Sequence, residues 1–216
     1  MIWWHVVLTV VLSYMLGNIS WGRIVSLTQK KDITKLGSGN PGSTNVLRNM
    51  GFKLGFLTFV FDIIKGFIPS IAAYYIFGHS YPMLYIAGFS AIIGHIFPII
   101  FLFRGGKGIA TMIGVFFAAA PVTAMITCLL GALCWISFEY GSVSSFWCVT
   151  AFTVSQGLRV KKYLPAADAK LICIILFCIF VVTWFAHRGN IQRLLVGKES
   201  KVNLLRSTNK KMKMKD

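Results

Sequence analysis

The sequence predicts an all-α integral membrane protein of about seven transmembrane helices, with polar glycine-rich loops on the cytoplasmic side. Three observations predict it. Charged residues make up 13% of the 216 residues and the mean hydropathy is +0.71, against about 25% charged residues in a soluble domain. The apolar residues gather in blocks without Asp, Glu, Lys or Arg, at 1–22, 66–103, 108–138, 140–158 and 171–187. The basic residues that give the net charge of +16 stand beside those blocks. This pattern argues against a soluble enzyme and against a disordered chain.

A crossing helix needs about 20 mostly apolar residues. The first block predicts a helix over 2–26. Residues 52–77 scan as a second helix although they hold Lys53, Asp62 and Lys65. The block at 66–103 is too long for one crossing and carries Pro82 after Gly78-His79-Ser80, so a third helix is expected over 82–103. The fourth and fifth, 108–120 and 122–137, are parted only by Ala118-Ala119-Ala120-Pro121. One long helix there would reduce the count to six. Residues 143–158 and 170–187 complete the set. Residues 1–197 form the membrane domain, and 198–216 are expected as a basic, disordered cytoplasmic tail.

The first helix does not read as a signal peptide, because it has no basic region before the apolar stretch and no A-x-A-like site. Positive charges follow it instead: Arg23, Lys30, Lys31, Lys35, Arg48 and Lys53. The positive-inside rule places the N-terminus outside and residues 26–52 in the cytoplasm. Seven crossings then put Arg159, Lys161 and Lys162 on the outer side, against that rule. The net charge is +5 over 23–53 and +7 over 188–216. Clusters beside membrane segments are attracted by anionic lipid, so membrane lipid is expected as a partner and nucleic acid is not. The five cysteines lie within apolar blocks without a C-x-x-C pair and read as small packing residues.

Chemistry belongs where polar residues interrupt the apolar pattern. Residues 36–48 hold Gly37, Gly39 and Gly42 among Ser38, Asn40, Ser43, Thr44 and Asn45, and end in Arg48. Glycines let a backbone approach a ligand closely, and Thr44 or Asn45 could cap a helix starting there. Free N–H groups, a glycine turn and an arginine make an anion cradle. A second cradle is Gly105-Gly106-Lys107-Gly108, where the lysine sits in a glycine turn before a helix. His95 precedes it inside an apolar helix, where packing and function are equally open. A third interruption is Glu139-Tyr140-Gly141-Ser142-Val143-Ser144-Ser145, in which Ser142 could cap the next helix. The fourth is His187-Arg188-Gly189-Asn190-Ile191-Gln192-Arg193, whose His187 and Asn190 share a face if the helix continues. Asp62 and Lys65, three apart within an apolar segment, are expected to pair as a structural support.

These motifs resemble the bacterial membrane acyl-phosphate:glycerol-3-phosphate acyltransferases. The likeness rests on Gly37 to Arg48 and on Gly94-His95-Ile96-Phe97-Pro98 through Gly105-Gly106-Lys107-Gly108-Ile109-Ala110-Thr111. It extends to Leu16-Gly17-Asn18-Ile19, to Asp62-Ile63-Ile64-Lys65-Gly66 and to His187-Arg188-Gly189-Asn190-Ile191, covering about residues 10–197. One motif departs: where the family usually has Arg-Tyr-Val-Ser-Leu-Ser-Ser, this chain begins with Glu139. The resemblance implies transfer of a fatty acyl group from a long-chain acyl phosphate to the 1-hydroxyl of glycerol 3-phosphate, giving lysophosphatidic acid and phosphate for phospholipid biosynthesis. It implies a seven-helix bundle in the bacterial inner membrane with its motifs facing the cytoplasm. It also implies that Ser38, Asn40, Thr44, Asn45, Arg48, Lys107, His187 and Asn190 line the site. Ser38, Lys107, His187 and Asn190 are the expected catalytic residues. Gly37, Gly39, Asn40, Thr44, Asn45, Arg48, Gly105, Gly106, Gly108 and Ser142 are the expected substrate-binding residues.

The residues themselves suit that chemistry. Two basic glycine turns could hold two phosphates. Attack of a hydroxyl on a carbonyl with phosphate as leaving group needs positioning and charge stabilisation more than a strong base. Either His187 or a substrate phosphate oxygen could take the proton, and the latter is preferred. No cofactor and no metal is expected, since only Asp62 and Glu139 lie near the candidate regions. The His-x-x-x-x-Asp pair of the soluble-type acyltransferases is absent. The alternative is a membrane transporter or binding protein for a phosphate-bearing anion, for which broken helices near mid-membrane and repeated halves would be expected. Neither is evident.

Overall fold

In a computed structural model, residues 3–201 are described. Among them are ten α-helices and no strand. They are α1 Trp3–Asn18, α2 Trp21–Leu27, α3 Ser43–Met50, α4 Phe52–Ile76, α5 Tyr81–Ile96, α6 Ile109–Ala119, α7 Pro121–Phe138, α8 Gly141–Tyr163, α9 Ala166–Ala186 and α10 Arg188–Leu195. Each of the seven expected segments contains a helix, but the one expected over 82–103 ends at Ile96 and gives way to a short 3-10 turn, Ile99–Phe101, and to Leu102 and Phe103 at positive φ. Five are long and apolar enough to cross a membrane: Trp3–Leu27, Phe52–Ile76, Tyr81–Phe101, Pro121–Phe138 and Ala166–Ala186. The α6 helix, with 11 residues, spans only about 16 Å at 1.5 Å per residue. The α8 helix has 23 residues but carries Arg159, Lys161 and Lys162 near its end. Most of the expected tail, residues 202–216, lies outside the described residues.

Two breaks position the site. The first corrects the single helix expected over 2–26: the chain leaves helical geometry at Ile19 and Ser20. That break frees the Ile19 carbonyl, and Lys65 Nζ donates to it at 2.7 Å. Lys65 pairs in turn with Asp62 at 2.9 Å, both side chains almost fully buried. The expected intrahelical pair is present and braces α4 against the α1–α2 corner. Asn18 secures the corner by donating from Nδ2 to the Tyr14 carbonyl at 2.7 Å.

The second break separates α6 from α7. Ala120 stands at φ −158°, ψ 76°, and Pro121 opens α7, where its missing N–H costs nothing. The six-helix alternative is thereby ruled out for this stretch. Arg159 Nη1 donates to the Ala119 carbonyl at 3.0 Å. A cation at a helix C-terminus satisfies a carbonyl left without an intrahelical partner. That contact gives Arg159 a structural role independent of charge bias between the two sides.

Close helix contacts form where side chains vanish. A Cβ at Gly66 would run into the Thr111 carbonyl, and one at Gly114 into that of Ile63, so α4 and α6 meet backbone to backbone. Small residues serve the same purpose in membrane bundles generally. The centre is filled by Tyr85, Phe116 and Phe152. The Phe116 and Phe152 rings stack at 4.6 Å, and Tyr85 Oη donates to Gln156 Oε1 at 3.2 Å. Leu12, Ile68, Leu129 and Phe177 point outward, as a lipid-facing surface requires.

Candidate active site

The first glycine turn is built by its own asparagines. Gly37 and Gly39 adopt φ of +56° and +69°, the left-handed region that glycine enters without strain. Asn45 folds back over the turn: its Oδ1 accepts from the Ser38 N–H at 3.1 Å and its Nδ2 donates to the Leu36 carbonyl at 2.9 Å. Asn40 Oδ1 accepts from the Gly42 N–H at 2.9 Å, and its Nδ2 donates to the Gly105 carbonyl at 3.4 Å. Asn40 therefore ties the two glycine turns together. The α3 helix starts at Ser43 with Gly42 before it. Neither Thr44 nor Asn45 caps it, because Asn45 is spent on the turn and Thr44 lies inside the first helical turn.

The second turn is seated on His95. The Gly106 N–H donates to the His95 carbonyl at 3.0 Å. A Cβ at Gly106 would strike the His95 imidazole, and one at Gly105 the His95 carbonyl. His95 is thus a packing support, with Asp62 Oδ1 3.6 Å from its Nδ1. Gly108, at φ +87°, precedes α6, and Lys107 Nζ donates to Asn190 Oδ1. Burial, helped by Arg193 and Arg48 and opposed by Glu199, pulls the Lys107 ammonium down to about 8.

His187 forms the corner between α9 and α10. Its Nδ1 donates to the Thr183 carbonyl at 2.8 Å. A carbonyl only accepts, so the neutral ring carries its lone pair on Nε2. Burial first, then the charge of Lys107, pushes the imidazole down to about 4. His187 is therefore neutral at physiological pH. Asn190, one turn on, is 6% exposed.

Ser142 does not cap α8, which begins at Gly141 after Tyr140. Its hydroxyl donates to Glu199 Oε1 at 3.0 Å. Glu199 also receives Asn190 Nδ2 at 2.6 Å and Arg193 Nε at 2.7 Å. Burial raises this carboxyl, but those three donors outweigh it and hold the group below its usual range. Sequence reasoning missed Glu199, which lies in a basic stretch that reads as a solvated end, and it noted Arg193 in the fourth interruption without assigning it to the site. The only signal was that Glu199 is one of six acids in the chain. Glu139 faces Lys201 at 3.5 Å, so the residue that departs from the family pattern is paired with the same C-terminal segment.

These groups enclose one cavity of about 800 Å³. Gly37, Ser38, Asn40, Thr44, Asn45, Arg48, Lys107, Gly108, Ser142, His187 and Asn190 all line it. Gly39, Gly105 and Gly106 do not. They flank an adjoining basic hollow that shares Ser38, Asn40, Lys107, Asn190 and Arg193 with the first. One wall of the cavity is apolar, with Phe59, Ile113 and Trp135 from α4, α6 and α7. Phe52 and Phe56 at its edge are 45% and 54% exposed. Among the described residues no group of three or more His, Cys, Asp or Glu could hold a metal ion.

A bundle of apolar helices with polar turns meeting at one basic cavity defines a class: integral membrane proteins built to receive an anion at the end of the bundle. The family model for glycerol-3-phosphate acyltransferase matches residues 7–197. Glycerol-3-phosphate acyltransferase of Aquifex aeolicus is 37% identical over 192 residues, covering 88% of this chain and 95% of that one. The enzyme of Alkaliphilus metalliredigens is 38% identical over 196 residues, covering 90% and 95%. The chain belongs to the glycerol-3-phosphate acyltransferase family. Its fold matches the crystal structure of PlsY (YgiH), an integral membrane glycerol 3-phosphate acyltransferase, in the glycerol 3-phosphate form. That match has a TM-score of 0.84 at 33% identity and covers 94% of this chain and 98% of the other. The lysophosphatidic acid form of the same protein matches with a TM-score of 0.80 at 34% identity, over 94% and 98%.

Proposed function

We propose that this acyltransferase takes its acyl group from a long-chain acyl phosphate and moves it to the 1-hydroxyl of glycerol 3-phosphate, releasing phosphate and lysophosphatidic acid. One observation carries the reading: a single cavity joins a cationic, glycine-rich end to an apolar wall. A phosphate and an acyl chain need those two environments in one place. Lys107 and Ser38 hold the phosphate of the donor, and Arg48 serves either phosphate. His187 and Asn190 orient the glycerol. The hydroxyl oxygen attacks the acyl carbonyl, and the phosphate–acyl bond breaks. With His187 titrating near 4, its Nε2 is a weak base and a good hydrogen-bond acceptor. A substrate phosphate oxygen therefore receives the hydroxyl proton, and positioning with fixed positive charge supplies the acceleration.

The membrane is the bacterial inner membrane, with the site facing the cytoplasm. The support is charge: residues 23–53 and 188–216 carry most of the excess of basic residues, and both stretches reach the cavity end of the bundle. Seven crossings are consistent with all four polar interruptions lining that one end.

The test is phosphate release by purified protein given palmitoyl phosphate, with and without glycerol 3-phosphate, beside Lys107→Ala. Acceptor-dependent release that falls on the order of 10²–10³-fold in the variant is expected, the usual cost of losing one charge-stabilising donor. Absence of acceptor-dependent release over several chain lengths would overturn the reading. Uptake of a phosphate-bearing anion into proteoliposomes would then favour a transporter.

A further inference from the structure

Asn190 stands between two groups with opposite needs. The Lys107 ammonium can only donate, and an ionised carboxylate can only accept. Asn190 meets both: its Oδ1 accepts from Lys107 Nζ, and its Nδ2 donates to Glu199 Oε1 at 2.6 Å. Its neighbours therefore dictate the amide's orientation. Turned over, it would set NH₂ against ammonium and carbonyl against carboxylate. Glu199 is fixed in turn by Arg193 and Ser142, and its side chain is only 6% exposed. It arrives from beyond α10, so the last described residues reach back into the site. Arg48 Nη2 reinforces this by donating to the Ser200 carbonyl at 3.3 Å.

We propose that Glu199 is a positioning residue for the acyl-transfer site: it locks the Asn190 amide so that Asn190 holds Lys107 in the cavity, and its carboxylate is the negative charge that this ammonium faces. The inference rests on the reading of Lys107 as the lysine that holds a substrate phosphate. The charged and titratable groups around Lys107 come from every side. Arg48 stands on α3, His187 at the α9–α10 corner, Arg193 on α10, and Glu199 after it. Asp62 also lines the cavity from α4, but it is paired with Lys65. Cys128 and Cys148 complete the titratable lining of that cavity, and Arg23, Arg104 and Arg188 line the adjoining hollow that Lys107 shares. Arg193 and Arg48 disfavour the charge on Lys107, and Glu199 opposes them. Without the carboxylate's charge the two arginines act unopposed, so the lysine loses its proton at lower pH.

The experiment uses the full chain in lipid nanodiscs, as wild type, Glu199→Gln and Glu199→Asp. Lys107 is titrated without substrate by competitive labelling with acetic anhydride across pH, read by mass spectrometry. Acceptor-dependent phosphate release from palmitoyl phosphate is measured on the same samples. In Glu199→Gln the labelling midpoint is expected to move to lower pH. The turnover is expected to fall roughly 10–100-fold, the usual cost of removing a partner that orients a site group. Glu199→Asp should recover part of both. An unchanged midpoint overturns the proposal, whatever happens to the melting temperature, because the role would then be structural. A faster Glu199→Gln enzyme also overturns it, since the carboxylate would then be a plug that substrate displaces. If the wild type releases no phosphate, the acyl-transfer reading fails, while the labelling midpoint still decides whether Glu199 governs Lys107.

Discussion

At the scale of single residues, the site is held by groups whose protonation is set by burial and by each other. Lys107 titrates at about 8, below an ordinary lysine, so its charge is present below that pH and lost as pH rises through it. Phosphate affinity should follow. The KM for acyl phosphate is expected to climb above pH 8 in the wild type, whereas Lys107→Arg, whose guanidinium stays charged, should keep a flat KM there. His187 has the opposite implication. Its imidazole titrates at about 4, so it cannot produce a rate loss near neutrality. An acidic limb near pH 6 would belong to substrate phosphate, whose second ionisation lies at about 6. That limb should survive in His187→Ala while KM for glycerol 3-phosphate rises. Disappearance of the limb with affinity intact would return the base role to His187.

At the scale of elements, the braces matter more than the helices themselves. Asp62→Ala leaves the Lys65 ammonium buried without its carboxylate, a loss of about 3–5 kcal/mol for pairs of this kind. Thermal unfolding in detergent should show it as a clear drop in midpoint. The double variant Asp62→Leu with Lys65→Met should recover part of the loss. It removes both charges but leaves the Ile19 carbonyl without its donor, at about 1–3 kcal/mol. Equal midpoints for Asp62→Ala and wild type would show that the pair supports nothing. The same scale explains what the sequence made legible. Apolar blocks show in one dimension, so all seven segments were readable. Gly37, Gly39 and Gly108 were readable as turn residues because glycine and asparagine stand out between such blocks. The break at Ile19 was not, because Asn18 and Ser20 add no charge to the block and the partner that uses the freed carbonyl, Lys65, lies 46 residues away. The capping role of Ser142 failed for a related cause, since its hydroxyl had a tertiary partner in Glu199 that local spacing cannot display. Thr44 failed because α3 starts one residue before it.

At the scale of the whole molecule, the four polar interruptions meet at one end because α6 and α7 fold back at Ala120 and return the chain to the cavity. Glu199 was invisible for the same reason. Only the folded chain carries residue 199 back beside residues 107, 142 and 190. The α6–α7 corner has its own stake in Arg159. The α6 helix, near 16 Å long at 1.5 Å per residue, is about half as long as a hydrocarbon layer of about 30 Å is thick, and Arg159 supplies a donor to the Ala119 carbonyl at its end. The exposed edge of the cavity at Phe52 and Phe56 has a consequence for how reaction rates scale. A donor that arrives through that edge is dissolved in two dimensions, so its bulk concentration does not govern the rate. Below saturation, halving the mole fraction of acyl phosphate by adding inert phospholipid, with protein and donor amounts unchanged, should halve the velocity. A velocity indifferent to that dilution would mean the donor arrives from water. The product would leave by the same gap, and each turnover would add one lipid to the sheet in which the enzyme is dissolved.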